Sequence, residues 1–498
     1  MATCRTDVVL VNPGSLTAVY QDLSRDFSAI EPPSLAGMFA SFLRLNDVSV
    51  EIVDAPALNL DPAQVAKLIH DELRPRLVVL VVYGFQPSAS TQNMPAAGET
   101  CRALKALDPD CKILMTGTHP AALPERTMRE EAIDFLCDRE GPETILQTAR
   151  ALKAGGQSFR GIPSLWYRAG NMLMSNPPAP LMENLDREMP GAAWDLLPMG
   201  KYRAHNWHCF EHIDERHPYA SMHTSLGCPY RCSFCCINAP FGKPSYRLWS
   251  PEVVVGEIGV LVERYGVRNI KFVDEMFVLN RNHVFGICDR LAERGYDLNI
   301  WAYARVDTVR DEYLDRLRRA GIRWLALGIE SASKHVRDGV EKGRFGTAEI
   351  LEVVRRVQGA GINVIGNYIF GLPDDTHETM AETLALALEA NCEFANFYCA
   401  MAYPGSKLYA MAIENRWELP RSWIGYSQHG YDTYPLRTNA LTSAEVLRYR
   451  DAAFTQYFTN PSYLGMIRRK FGDKVLRHVE AMTGIGLKCR LLEETVPA

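Results

Sequence analysis

No stretch of the 498 residues reaches the ~18 uninterrupted apolar positions that a membrane-spanning helix needs, and no long run of lysine and arginine marks a nucleic-acid surface. Lys and Arg number 54 against 59 Asp and Glu, a net charge of -5, so the footprint of a general nucleic-acid binder is missing and a small or neutral substrate fits better. The opening MATCRTDVVLVNPG passes straight into a strand-like run without a charged leader and cleavage site, which predicts a cytoplasmic protein. No G-x-G-x-x-G follows that strand and no G-x-x-x-x-G-K-[ST] occurs, which removes the best support for dinucleotide or P-loop binding. G-x-S-x-G and H-E-x-x-H are absent too, so neither a nucleophile elbow nor a zinc-protease helix is available.

What is present is ordinary in bulk. Hydrophobic residues make up 47% and charged residues 23%, the proportions of a soluble globular chain, and the length suits about three domains. Thirteen cysteines, an odd number with no secretion signal, point to thiols available to metals rather than to a disulfide framework.

Residues 1–154 read as one α/β module. Strands are expected at 7–14, 49–55, 77–84, 112–117 and 133–137, with helices at 62–73, 92–107 and 120–130 and a first helix carrying Leu35, Met38, Phe39, Phe42 and Leu43 behind Pro32-Pro33. Short apolar strands alternating with helices argue a doubly wound, Rossmann-like parallel sheet, which binds ligands outside the carboxyl ends of its strands. Those ends carry Asn12, Tyr83-Gly84-Phe85, Gly117-Thr118-His119 and Glu140-Gly141. A scaffold whose glycines only make turns is the plain alternative. Residues 155–218, rich in Gly, Pro and Asn, read as a linker with a small β-hairpin at YRAGNM.

Four cysteines then crowd into nine residues, HTSLGCPYRCSFCCINAPFG, directly after a strand-like run. Cys228, Cys232 and Cys235 have C-x3-C-x2-C spacing, and Cys236, next to Cys235, is expected to point away. A structural zinc site or an electron-transfer cluster normally takes four protein ligands. Either His217, His223 or a distant cysteine completes a zinc site, or three cysteines hold a four-iron cluster whose fourth iron stays open to a ligand. Beyond the loop, strands at 219–226, 268–276, 297–304, 322–329, 363–370 and 393–400 alternate with helices, the first capped by Ser250 ahead of Pro251 and Glu252. This predicts a partial (βα)6 barrel over 219–410, with Asp274-Glu275, Tyr303, Arg305, Glu330-Ser331, Asn367 and Pro404-Gly405-Ser406 at its ligand-binding end. Successive strand residues face opposite ways, so only one of Asp274 and Glu275 can point inward. Residues 411–498 read as a small helical subdomain capped at Thr442 or Ser443. Its aromatic stretch, with Trp417, Trp423, Tyr426 and His429, is either a lid over the barrel mouth or core.

The cysteine spacing, with Phe234 before the third cysteine, resembles the signature of the radical S-adenosylmethionine superfamily. The whole span from about residue 7 to about 410 resembles its cobalamin-binding branch: EPPSLAGMFASFL is similar to that family's first helix, and GTHPAALPE and DREGPET to its later loops. The resemblance implies a 4Fe-4S cluster on Cys228, Cys232 and Cys235. It implies S-adenosylmethionine against Phe234, Asp274 or Glu275, Arg305, Glu330, Ser331 and the segment IFGLPDDT (369–376), and cobalamin on Asn12, Tyr83, Gly84, Gly117, His119, Glu140 and Gly141. No D-x-H-x-x-G occurs in residues 1–150, so no histidine of that motif ligates cobalt from below.

The implied chemistry is reduction of S-adenosylmethionine to a 5'-deoxyadenosyl radical, hydrogen abstraction from an unactivated carbon of a small-molecule substrate, and transfer of a methyl group from methylcobalamin. Electrons would come from an external donor such as flavodoxin or ferredoxin, and no nucleic acid is involved. The alternative enzyme is a cyclase or rearrangement catalyst that transfers no methyl. A zinc-stabilised scaffold and a methylthiolase of RNA are the other classes, the last weakened by the acidic charge balance.

Overall fold

The computed structural model describes residues 6–84, 86–156, 158–343 and 345–494; Phe85 of the proposed ligand edge lies outside them. The first sheet contains β1 (Thr6–Asn12), β2 (Val50–Asp54), β3 (Pro75–Val82), β4 (Ile113–Gly117), β5 (Phe135–Cys137), β6 (Leu165–Ala169) and β7 (Met172–Ser175), in the order β2-β1-β3-β4-β5-β6-β7. Strands β1 to β5 are parallel. They read as unbroken apolar runs because both faces are covered: Val8, Leu10, Leu77 and Val79 pack into one core, Val9, Val11, Val78 and Leu80 into another. Strand order reverses between β1 and β3, which opens a crevice at their carboxyl ends.

The hairpin expected in a linker is instead β6 and β7, which extend this sheet antiparallel to β5. Trp166 Nε1 donates to Asp138 Oδ2 at 2.9 Å and ties the hairpin to the end of β5. Local patterning carries no sign of this because the pairing partner lies 28 residues away.

The second sheet has β8 (Tyr219–Met222), β11 (Asn269–Phe272), β12 (Asn299–Arg305), β13 (Ile322–Glu330), β14 (Asn363–Phe370) and β15 (Phe394–Cys399), all parallel in the order β15-β14-β13-β12-β11-β8. It is a curled half-barrel, with β15 and β8 as its two edges. The strand expected over 219–226 stops at Met222. Asp274 accepts from the Thr224 backbone N–H, at 2.9 and 3.0 Å, in place of a ladder bond, and Ser225–Leu226 (β9) turns away to pair with Arg247–Leu248 (β10). The expected caps form: the Ser250 side chain accepts from Val253 N with Pro251 at the first helical position, and Thr442 with Glu445 makes a reciprocal capping box.

Two C-terminal helices, Ser443–Phe458 and Pro461–Thr483, pack Tyr457, Phe458 and Tyr463 against the β15 edge at Phe394 and Phe397. Trp423 does not reach the barrel mouth. It packs edge-on to His119 at 4.4 Å, lies under Arg126 at 4.3 Å and donates to Glu130 at 3.2 Å, clasping the C-terminal segment to the first sheet. Trp417 packs beside Leu408 and Leu436, and Tyr426 is buried, so both are core rather than lid. Among the described residues no helix is long and apolar enough to cross a membrane.

Candidate functional site

The cysteine loop lies over the carboxyl end of the half-barrel. Backbone bonds from Ser233 N to Val340 O (3.1 Å) and from Leu408 N to Ser233 O (2.7 Å) pin it to the loops after β13 and β15. Cys228, Cys232 and Cys235 line one cavity of about 240 Å³ with Phe234, Arg305, Glu330 and Lys342. Burial pushes the Cys228 thiol up to about 12 and holds Cys235 well above the ordinary thiol value, so a thiolate there needs positive charge beside it. Among the described residues, no three His, Cys, Asp or Glu side chains converge at single-ion ligation distance. The sulfurs instead frame a space, which suits a cluster several atoms across better than one zinc ion. His217 and His223 do not complete a zinc site: their Nδ1 atoms face Tyr202 O at 2.8 Å and Ser34 Oγ at 3.2 Å. Cys236 shares the cavity wall but sits against the loop at Gly405.

Arg305 serves the cysteine loop directly. Its guanidinium lies 3.7 Å from Cys232 Sγ and 4.0 Å over the Tyr230 ring, held by Asp307 at 2.9 Å. Asp274 and Glu275 lie beyond β11, which ends at Phe272, so the strand alternation expected to separate them does not apply; both line the cleft toward the first sheet, and their hydrogen bonds differ. The Asp274 carboxylate is consumed internally by Thr224 and by Ser225 Oγ at 2.5 Å. Glu275 faces the cavity, with no hydrogen bond or ion pair at its carboxylate among the described residues, and burial pushes its carboxyl up to about 7.

Glu330 stands at a register break after Gly328, with φ at +65°, and its Oε1 lies 2.6 Å from Lys342 Nζ. Burial opposes the Lys342 charge, but Glu330 and Cys232 together outweigh it and raise its pKa. Ser331 is turned away: its hydroxyl meets Thr383 Oγ1 at 3.2 Å and receives Ser333 N–H. Ile369 of the segment 369–376 lines the cavity, while Asp375 caps its own turn through Gly371 N and Leu372 N. Ser406 caps the helix Lys407–Glu414.

The ligand edge of the first sheet faces the barrel across a narrow cleft. Tyr83, Gly84 and Glu140 line it from one side, and His223, Asp274 and Glu275 from the other. Tyr83 OH donates to Glu140 O at 2.9 Å, and the Glu140 carboxylate pairs with Arg247 of β10 at 2.6 Å, linking the first sheet to the β9–β10 pair beside the cysteine loop. Gly84 lines the cleft, while Gly117 and Gly141 do not: a Cβ at Gly84 would meet Ala89 at 2.6 Å, one at Gly117 the Val82 carbonyl at 2.0 Å and one at Gly141 the Phe39 ring at 3.3 Å, so close internal packing is what requires these glycines. Two proposed contacts are turned inward. Asn12 Nδ2 donates to Asp54 Oδ1 at 2.9 Å, and His119 is buried between Thr91, at 3.2 Å, and Trp423, its pKa driven down to about 3 by burial. Neither lines the cleft. Gln86, Pro87 and Glu275 line both the cleft and the cysteine cavity, so the two spaces adjoin.

The family model of the Radical SAM superfamily matches residues 222–387, and that of the B12 binding domain matches residues 26–149. An uncharacterized methyltransferase of Pyrococcus horikoshii is 30% identical over 458 residues, covering 92% of this chain and 93% of that protein. The chain belongs to the cobalamin-dependent radical SAM methyltransferase family. Its cofactors are accordingly a 4Fe-4S cluster, S-adenosylmethionine and cobalamin. An anaerobic magnesium-protoporphyrin IX monomethyl ester cyclase of Rubrivivax gelatinosus is 26% identical over 87% of this chain and 75% of its own. The same fold is seen in the radical S-adenosylmethionine methyltransferase TsrM of Kitasatospora setae, with a TM-score of 0.66 at 18% identity, over 91% of this chain and 89% of that one.

Sequence reasoning missed the residues through which this radical SAM methyltransferase joins its parts. Lys342 carries no motif and is brought back to Glu330 by the short helix Lys334–Gly339. Glu31 and Lys271 form a buried pair at 3.1 Å although they are 240 residues apart. Asn396 and Tyr398 were findable, since polar residues at alternate positions of a buried strand point to one lined space.

Proposed function

We propose that the chain methylates an unactivated carbon of a small-molecule substrate held where the cysteine cavity meets the cleft of the first sheet. The observation that carries this reading is their common wall of Gln86, Pro87 and Glu275, which sets the two cofactor spaces on either side of one point. When bound, the cluster supplies an electron to S-adenosylmethionine and cobalamin supplies a transferable methyl group.

This chain's residues do the rest. Cys228, Cys232 and Cys235 hold the cluster, and Arg305 steadies the Cys232 sulfur. Glu275 accepts from the ammonium of S-adenosylmethionine, with Phe234 against its adenine. The Glu330–Lys342 pair holds polar groups of the same molecule. Tyr83, Gly84 and Glu140 line the seat of the corrin, Gly117 and Gly141 shape the loops behind it, and the half-buried Tyr303 and Tyr398 rings exclude water. The electron comes from an external flavodoxin or ferredoxin, and the free cysteines suit the reducing cytoplasm in which such donors work. Cyclisation or rearrangement without methyl transfer is the second reading, supported by the cyclase relative.

Glu330→Gln should raise the dissociation constant for S-adenosylmethionine by roughly ten- to a hundredfold, the loss of a charge-assisted hydrogen bond, and leave cobalamin binding unchanged. Equilibrium binding of both ligands on one anaerobic preparation checks this; equal loss of both with a large fall in melting temperature would make Glu330 a purely structural partner of Lys342.

Cobalamin in this protein should have no axial nitrogen from the protein. No D-x-H-x-x-G occurs in residues 1–150 and His119 is buried away from the cleft; His223 lines the cleft with Nδ1 engaged by Ser34, so its Nε2 is the nitrogen that the experiment has to exclude. The spin-resonance spectrum of the cobalt(II) form is expected to lack axial nitrogen coupling, and a coupling that disappeared in His119→Ala or His223→Ala would refute the assignment.

A further inference from the structure

The half-barrel is open between β15 and β8, and the seam is filled by side chains from elsewhere: Tyr20 and Glu31, His205 and Trp207, Gln428 and His429. Behind the seam lies a lumen cavity of about 120 Å³, ringed by inward-facing residues such as Lys271, Asn367 and Asn396. Tyr303, Asn367 and Tyr398 line both this lumen and the cysteine cavity, so the two connect. On its other side the lumen meets a cleft of about 380 Å³ between β15 and the C-terminal helices; Tyr20, His205, Asn396, Tyr398 and His429 line both. The Tyr20 and His429 rings, stacked at 5.9 Å, mark the constriction between them.

The lining sorts by polarity. The outer cleft is walled by Leu23, Phe27, Phe397, Phe454, Met482 and Leu487. The lumen is polar, with Asn396 Nδ2 donating to Asn367 Oδ1 at 2.9 Å. Charge is cancelled along the whole length: Lys271 against Glu31 at 3.1 Å in the lumen, Arg450 against Asp451 at 2.6 Å in the cleft. Burial keeps His205 and His429 neutral. An ionic ligand group would enter with no unpaired counter-charge and would lose its hydration, whereas a neutral hydrogen-bonding group would not.

We propose that the substrate of the methylation inferred above is an uncharged, elongated molecule that enters through the seam. Its apolar body rests in the outer cleft, and a hydrogen-bonding end passes the lumen amides to bring the reacting carbon to the cysteine cavity. The inference rests on the methyl-transfer reading, which puts the two cofactors across the barrel mouth and leaves the seam as the way in. The occupant must be longer than the lumen, since the outer cleft has about three times its volume.

The test uses full-length, cluster-loaded protein with cobalamin and S-adenosylmethionine, titrated calorimetrically with primary alcohols from hexanol to dodecanol. Affinity should rise about fourfold per added methylene. Octanoate and octylammonium should bind at least tenfold more weakly than octanol. Asn396→Trp, at the waist, should abolish dodecanol binding. Because that residue is interior, Thr455→Trp, on the exposed rim of the outer cleft, is the second variant and should weaken dodecanol at least tenfold with an unchanged melting temperature. Affinity independent of chain length, octanoate binding as tightly as octanol, or unaltered dodecanol binding in Thr455→Trp would overturn the proposal. Formation of S-adenosylhomocysteine beside 5'-deoxyadenosine by the same preparation separates the two claims: both products without alcohol binding remove the path and keep the methyl-transfer reading, and alcohol binding without S-adenosylhomocysteine does the reverse.

Discussion

Alanine at Cys228, Cys232 or Cys235 is expected to abolish cluster assembly and S-adenosylmethionine cleavage, each alone, whereas Cys236→Ala keeps both. The three sulfurs frame one cavity, and a three-cysteine cluster has no spare ligand to recruit. Cys236 is the only other cysteine of the loop, and it is packed against the Gly405 turn. Iron and sulfide content and the brown chromophore of each variant decide the matter. A cluster lost in Cys236→Ala and retained in one of the other three would reverse the ligand assignment.

Gly117→Ala should be the most damaging single change in the first sheet. Gly117 ends β4 with φ at +153°, and a Cβ there would stand 2.0 Å from the carbonyl oxygen of Val82, the last residue of the neighbouring β3. That carbonyl already accepts Ser90 Oγ, which in turn receives the His119 backbone N–H, so it has no room to retreat. The expected cost is roughly 3 kcal/mol or more, combining backbone strain with a forced opening of the ladder. Cobalamin should no longer be retained while the cysteine cavity still takes its cluster. A variant that melted like the parent and kept cobalamin would show that the edge at Gly117 is not the tight junction described.

The fold was legible where physics is local. VVLVN, RLVVLVV and KILMTG are unbroken apolar runs because a parallel sheet is covered on both faces, and Ser250-Pro251 and Thr442 mark helix starts through their own side chains. The cysteine spacing was legible for the same reason, as three ligands on one short loop. What escaped depended on distant partners. Nothing near residue 222 announces that Asp274 will take the Thr224 amide and end β8 early, and nothing near residue 165 announces pairing with β5. Asn12 and His119 sit at strand ends, as ligand-edge residues should, yet Asp54 and Trp423 draw them inward. Exposure at a strand end is set by what packs over it, which alternation along the chain does not encode.

The central claim, that this chain joins S-adenosylmethionine cleavage to methyl transfer through cobalamin, is tested most directly by product accounting. Anaerobically reconstituted protein with cobalamin, S-adenosylmethionine and a low-potential reductant should yield both 5'-deoxyadenosine and S-adenosylhomocysteine, with methylcobalamin detectable between turnovers. Formation of 5'-deoxyadenosine with neither S-adenosylhomocysteine nor methylcobalamin would contradict methyl transfer and leave the cyclase-like reading in its place.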